Sequence, residues 1–184
     1  MAAEAPLAEI GFAAPPFALT GTDGRLHTLE ALRGPRGTVV AFLCNHCPYV
    51  KAILPRLVRD ARDLAALGIH VIGINANDAI AYPEDSFARM VELAPSLSFP
   101  YLHDESQSVA RAYGAVCTPD FFGFDRELKL RYRGRLDASR KDSAPEGTRR
   151  DLYEAMRLIG DTGNGPAEQP VAIGCSIKWR TGSA

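Results

Sequence analysis

The chain has 184 residues, 46% of them hydrophobic and 23% charged, with 21 Lys and Arg against 22 Asp and Glu. A net charge of -1 gives no electrostatic case for nucleic acid or an acidic membrane surface as partner. The longest apolar run, Val39 to Cys44, is strand-sized and far from the roughly 18 residues of a membrane span. Four cysteines are too few for a disulfide scaffold and read as chemistry, metal binding or core filling. The first residues, MAAEAPLAEIGF, carry Glu4 and Glu9 and no basic segment, so a cytoplasmic protein is expected, where thiols stay reduced unless they are working. Its oligomeric state is not legible in the sequence.

In chain order, Pro15 to Arg36 reads as a hairpin. Phe17 and Leu19 alternate, Thr22-Asp23-Gly24 turns, and Leu26 and Thr28 return. Thr38 to Leu43 is a fully buried strand. From Pro48 the apolar period changes from two to 3.6, with Val50, Leu54, Leu57, Val58, Ala61, Leu64 and Ala65 on one stripe that ends at Gly68. Ile69 to Asn75 is a second buried strand and Glu84 to Leu93 a helix. A short strand follows at Phe99 to Leu102 and a helix at Ser106 to Tyr113. Two strands at Phe121 to Asp125 and Leu128 to Arg135, and a helix from about Glu146 to Ile159, complete the pattern. Residues 161–184, rich in Gly and Pro, read as an extended tail packing on a single domain of residues 1–160. Strands linked by helical crossovers, then a hairpin and a last helix, give an α/β fold with a mixed sheet. Lys129, Arg131, Arg133 and Arg135 alternate on one strand and read as a solvated or edge-protecting face.

The chemistry concentrates in FLCNHCPYVKAILP, residues 42 to 55, where a buried strand gives way to a helix. A helix N-terminus presents free N–H groups and the positive end of the dipole, which favour a thiolate. Thiols so placed reach pKa values of about 3.5–7.5, against 8.5 for a free cysteine. His46 lies inside the Cys44–Cys47 pair, where an imidazolium could lower a thiol pKa or shuttle a proton.

This strand–helix junction resembles the thioredoxin fold, and more narrowly its redoxin branch with an N-terminal β-hairpin. The implied architecture is a three-layer α/β/α sandwich around a mixed sheet. The redoxin active-site stretch reads roughly F-W-A-x-W-C-P-P-C-R-x-x-x-P-x-L. Counted from Cys47 it gives Pro48, Lys51, Pro55 and Leu57, whereas counting from Cys44 loses the kink proline. The resemblance therefore puts Cys47 at the nucleophile position and Val50 where thioredoxins carry their resolving cysteine. YGAVCTPDFFGFD resembles the thioredoxin segment around a cis proline. It implies that Pro119 faces the reactive cysteine and that the Thr118 backbone pairs with a substrate strand, with Pro48 flanking the site. The peroxiredoxin set P-x-x-x-T-x-x-C with a distant Arg is not met. From Cys47 the Thr and Pro positions hold Cys44 and Val40, and the Arg position holds Pro119. Together with C-N-H-C-P-Y and the terminal G-C-S-I-K-W, the resemblance is closest to a peroxiredoxin-like group within the alkyl hydroperoxide reductase–thiol-specific antioxidant superfamily.

A thiol-dependent oxidoreductase is thus expected, with Cys47 attacking a disulfide-containing protein, a small-molecule disulfide or, less efficiently, a peroxide. Cys44 is one candidate resolving thiol, provided the chain turns between the two, since an extended i to i+3 span of roughly 10 Å exceeds the ~7 Å Cα limit of a disulfide. Cys175 in the tail is the other candidate. Cys117 reads as core filling, and Trp179, the only tryptophan, as a tail anchor. Electrons would come from a thiol protein or glutathione, and no cofactor is implied. Two alternatives stay open: a thiol peroxidase, and a redox-sensing or zinc-binding module using Cys44, His46, Cys47 and a fourth thiol. A c-type haem is excluded by Pro48, where C-x-x-C-H needs histidine.

Overall fold

The computed structural model describes residues 2–6, 9–142 and 144–181; the last three residues of the expected tail lie outside the described residues. A seven-stranded sheet forms the middle layer. Its strands are β2 (Ala18–Gly21), β3 (Leu26–Thr28), β4 (Gly37–Phe42), β5 (Ile69–Asn75), β6 (Tyr101–His103), β8 (Asp120–Phe124) and β9 (Leu130–Gly134). They run in the order β3-β2-β6-β5-β4-β8-β9. β4, β5 and β6 are parallel and the outer pairs antiparallel, so the sheet is mixed. Asp23 accepts from the Arg25 amide at 3.1 Å, and Gly24 takes a φ of 75° to close the β2–β3 hairpin.

β4 is buried along its whole length because both faces are covered. Val39, Ala41 and Leu43 pack on one side with residues of α2 (Pro48–Ala66), α3 (Phe87–Leu93) and α5 (Asp151–Thr162), including Leu57, Met90 and Met156. Val40 and Phe42 point the other way, toward Leu29 of α1 (Leu29–Leu32) and Val109, Ala110 and Tyr113 of α4 (Ser108–Tyr113). The period-two reading of this strand thus becomes the two interfaces of a three-layer sandwich.

Several boundaries differ from the sequence expectation. The helix expected over Glu84 to Leu93 is broken. A 3₁₀ turn at Pro83–Asp85 precedes α3, and Ser86 between them is extended (φ −62°, ψ 153°). The break lets the Asp85 carboxylate turn inward toward the backbone of Asn45. Within α2 the buried face takes in Ile53 and leaves Ala65 exposed. The arginines of β9 are not a solvated face. Arg131 pairs with Asp125 at 2.7 Å and Arg135 with Asp151 at 2.8 Å. Arg133 is buried against Asp120 at 2.7 Å and lies over the Phe122 ring.

The tail also carries structure the sequence did not announce. Past α5 it runs beside β9, where the Gln169 side chain accepts from the Arg133 amide and donates to the Arg131 carbonyl, much as a neighbouring strand would. It then forms β10 (Ile173–Ser176), the centre of a second, three-stranded sheet between β1 (Ala2–Glu4) and β7 (Cys117–Thr118).

The buried Asp120–Arg133 pair adjoins the Thr118–Pro119 bend and gives a stability test. Arg133→Leu strands a buried carboxylate and is expected to lower the unfolding free energy by about 3–5 kcal/mol in urea titrations. Adding Asp120→Leu should recover part of that loss; no recovery would show that Arg133 acts through packing alone.

Candidate active site

The register of the main sheet assembles the site. β4 pairs with β8 so that Phe42 lies opposite Asp120. The chain beyond Phe42 therefore meets the Thr118–Pro119 peptide, which is cis. Cys44 follows the end of β4, and its Sγ lies 3.1 Å from Thr118 Oγ1. Cys47 is the N-cap of α2 with Pro48 at the first helical position, where a missing N–H costs nothing. Its side chain does not cap the helix but points to the Thr118 carbonyl, 3.4 Å from Sγ, to which the thiol form donates.

β10 closes the site from the third side. It is antiparallel to β7 with Cys175 opposite Thr118 and Ser176 opposite Cys117. On its other edge β1 places Ala2 opposite Cys175. A Cβ on Gly174 would overlap the Thr118 carbonyl, so only glycine permits this approach. Cys44, Cys47 and Cys175 thereby converge, all as free thiols. Cys117 is buried separately, with Ala5 and Ala172, as core.

These neighbours divide the three thiols electrostatically. Cys47 is pulled down to about 5, first by the hydrogen bond it accepts from the Cys44 thiol. Burial opposes this, and the Cys175 thiol and the amides of Val50 and Cys175 add to it. Cys44 moves far up, because its proton serves Cys47, because it is buried, and because the Asp85 charge lies nearby. Cys175 rises to about 11 through burial and its hydrogen bond to Cys47, with Lys178 pulling the other way. The site thus separates one stable thiolate from two thiols that keep their protons.

His46 and Asn45 are held by a residue that sequence reasoning missed. Asp85 is wholly buried and accepts from the Asn45 amide at 2.6 Å, from Asn77 Nδ2 at 2.7 Å and from His46 Nδ1 at 2.5 Å. The His46 ring also stacks on Tyr82 at 5.5 Å. Its visible work is to fix the loop before Cys47, while thiols and amides dominate the Cys47 ionisation. Cys44, His46 and Asp85 also offer three donor atoms within 4.8 Å of one another, of the kinds zinc accepts. Within that trio the histidine and the carboxylate already satisfy each other.

Two solved structures resemble the chain almost throughout. An uncharacterized conserved protein from Geobacillus kaustophilus is 45% identical with a TM-score of 0.93, covering 98% of this chain and 97% of that one. A hypothetical protein, SMc02350 from Sinorhizobium meliloti 1021, is 40% identical with a TM-score of 0.91, over 97% and 99%. The thiol-disulfide oxidoreductase ResA of Geobacillus thermodenitrificans is 26% identical over 129 residues, 66% of this chain and 67% of its own. The AhpC/TSA family profile matches residues 10–133. With that match over most of the sandwich, Cys44 and Cys47 included, the chain belongs to the AhpC/TSA family.

Proposed function

We propose that the protein is a cytoplasmic thiol-disulfide oxidoreductase whose nucleophile is Cys47. One observation carries this reading: Cys47 is the N-cap of α2, before Pro48, with its sulfur 3.4 Å from the carbonyl of the cis Thr118–Pro119 peptide, where the Cys44 and Cys175 thiols and the Val50 and Cys175 amides lower its pKa. Such donors hold a thiolate at neutral pH, and the thiolate is the attacking species. The kinship with a thiol-disulfide oxidoreductase and the family membership support the reaction class.

In the reaction the Cys47 thiolate attacks one sulfur of a substrate disulfide. A new S–S bond forms to Cys47, the old one breaks, and the departing thiolate takes a proton from solvent. A second cysteine of the chain, Cys44 or Cys175, then displaces the bound half and leaves an intramolecular disulfide. An external thiol, a thiol protein or glutathione, reduces it. Pro48, Thr118 and Pro119 frame the substrate. A peroxide is a poorer substrate, because Pro119 stands where a peroxide-polarising arginine is expected and the dominant influences on Cys47 are thiols and amides.

A low pKa changes the pH at which Cys47 works more than its speed at neutrality. Nucleophilicity falls with basicity (Brønsted slope about 0.4–0.5), which offsets most of the gain in thiolate fraction at pH 7. Reaction with dilute iodoacetamide, read peptide by peptide, is therefore expected to rise with pH around 5 at Cys47 and flatten above it. An ordinary cysteine with a pKa of about 8.5 should instead climb roughly 80-fold between pH 6 and 8. Cys44→Ala removes the largest stabilising donor and should move the Cys47 midpoint upward. A wild-type midpoint near that of free cysteine would remove the basis of the reading. Cys47→Ser should reduce disulfide turnover to background; full activity in Cys47→Ser with loss in Cys44→Ser would make Cys44 the nucleophile.

A further inference from the structure

The edge of β7 next to Pro119, where a substrate strand is expected, is already occupied by the chain itself. β10 pairs antiparallel there, its Gly174 fits against the Thr118 carbonyl, and its cysteine is the residue opposite Thr118. That residue is thereby set across from the peptide whose carbonyl lies 3.4 Å from the Cys47 sulfur, and its thiol and amide both lower the Cys47 pKa. Cys47 is 0% exposed beneath this cover. The cavity beside Pro119, lined by Tyr49, Ile53 and Ile173 among others, is about 40 Å³. That is room for about one water molecule and not for a peptide or a tripeptide thiol.

The segment after β10 is fastened at several points. The Ile177 amide bonds the Val116 carbonyl at 2.9 Å and its side chain joins the second core. The Lys178 amide bonds Asn77 Oδ1, and its carbonyl accepts from the Asp78 amide and from Gln107 Nε2. Trp179 lies under the Arg111 guanidinium, 4.6 Å from ring centroid to cation.

We propose that β10 is a built-in substrate strand, and that the working disulfide of this protein joins Cys47 to Cys175. The inference rests on Cys47 being the nucleophile and goes on to assign its partner and its substrate class. A small disulfide reaches Cys47 when β10 lifts. The mixed disulfide that forms is then attacked at the Cys47 sulfur by Cys175, which loses its proton to solvent and expels the second small thiolate. Two protein thiols are oxidised and one small disulfide becomes two thiols. The same closure follows from a hydroperoxide: the Cys47 sulfenic acid condenses with the Cys175 thiol and releases water. Cys44 remains the proton-sharing neighbour of Cys47. It is almost wholly buried and holds its proton more tightly than Cys175, which is partly exposed.

Regeneration has a direction. An external dithiol meets the partly exposed Cys175 sulfur first, and Cys47, the best leaving group of the three, departs as thiolate. The mixed disulfide with the reductant then sits on Cys175, and the second thiol of the reductant releases it. Because β10 occupies the edge, small disulfides are favoured as oxidants over extended protein segments.

The test uses the full chain equilibrated across glutathione redox buffers, acid-quenched, blocked with N-ethylmaleimide, cut with trypsin and weighed. Cys44 and Cys47 share the peptide 37–51, Cys117 lies in 112–126 and Cys175 in 158–178. The expected product is 37–51 joined to 158–178, formed in wild type and in Cys44→Ala and absent from Cys47→Ser. A disulfide inside 37–51 with Cys175 blocked by the reagent would overturn the inference and leave Cys47 as nucleophile. A peptide 37–51 that stays reduced at every potential would sink the proposed function itself. Gly174→Val, which forces β10 off the Thr118 carbonyl, should cut the cross-link and speed iodoacetamide reaction at Cys47 by about tenfold in a protein that still folds. Unchanged alkylation in a folded Gly174→Val protein would show that β10 does not cover Cys47.

Discussion

A sulfur anion without solvent exposure persists only where the protein supplies the donors that water would have given. At Cys47 four such groups come from three places in the chain: the end of β4 through Cys44, the first turn of α2 through Val50, and both the backbone and the side chain of Cys175 on β10. None of the four is close enough in sequence to be brought in by local folding alone, except Cys44 and Val50. The two others depend on β10 finding the narrow edge of β7, and that edge is offered only where Thr118 and Pro119 bend beside the start of α2. The sandwich can be read as the frame that gathers these pieces around one sulfur.

Support for that frame comes from buried charge as much as from apolar packing. Asp85 ties the loop carrying Asn45 and His46 to Asn77, and Asn77 in turn holds the tail through the Lys178 amide. The loop before Cys47 and the tail that covers it therefore share one polar network, in which each buried acceptor is matched by N–H donors. On the far side of Pro119, Asp120 and Arg133 fasten β8 to β9, and Arg133 also bonds the Gly114 carbonyl ahead of β7. Polar groups of this kind are costly unless satisfied, and these two networks flank Cys47 and the Thr118–Pro119 peptide.

Much of this was legible in the sequence, for reasons that can be named. β4 and β5 read as unbroken apolar runs because both faces are covered, and α2 announced itself by Pro48 and a 3.6-residue stripe. The ruler of Pro48, Lys51, Pro55 and Leu57 placed Cys47 at the helix start, where it stands. The tail strand was not legible: IGCS has no alternation, and a glycine in it counts against a strand until its partner is known. Gly174 is required by a carbonyl contributed from far earlier in the chain, which no local pattern records. Asp85 was hidden in the same way, since an acidic residue early in an expected helix reads as a solvated first-turn charge. The arginines of β9 were misread because their partners lie on β8, on its turn and on α5.

The order of synthesis gives the lid on the site a further meaning. Every element of the main sheet precedes β10 in the chain, and β1, the first strand, has β10 as its sheet partner. Domains generally fold as units, so the sandwich and its cover are completed together once the last strand has been made. A nascent chain that has completed β9 still lacks α5, which packs in the same core as Cys44 and Cys47, and both groups of Cys175 that lower the Cys47 pKa. During that interval β1 and β7 both lack the strand they pair with. The cover over Cys47 is thus among the last pieces of backbone to be made, and it takes its place beside Thr118.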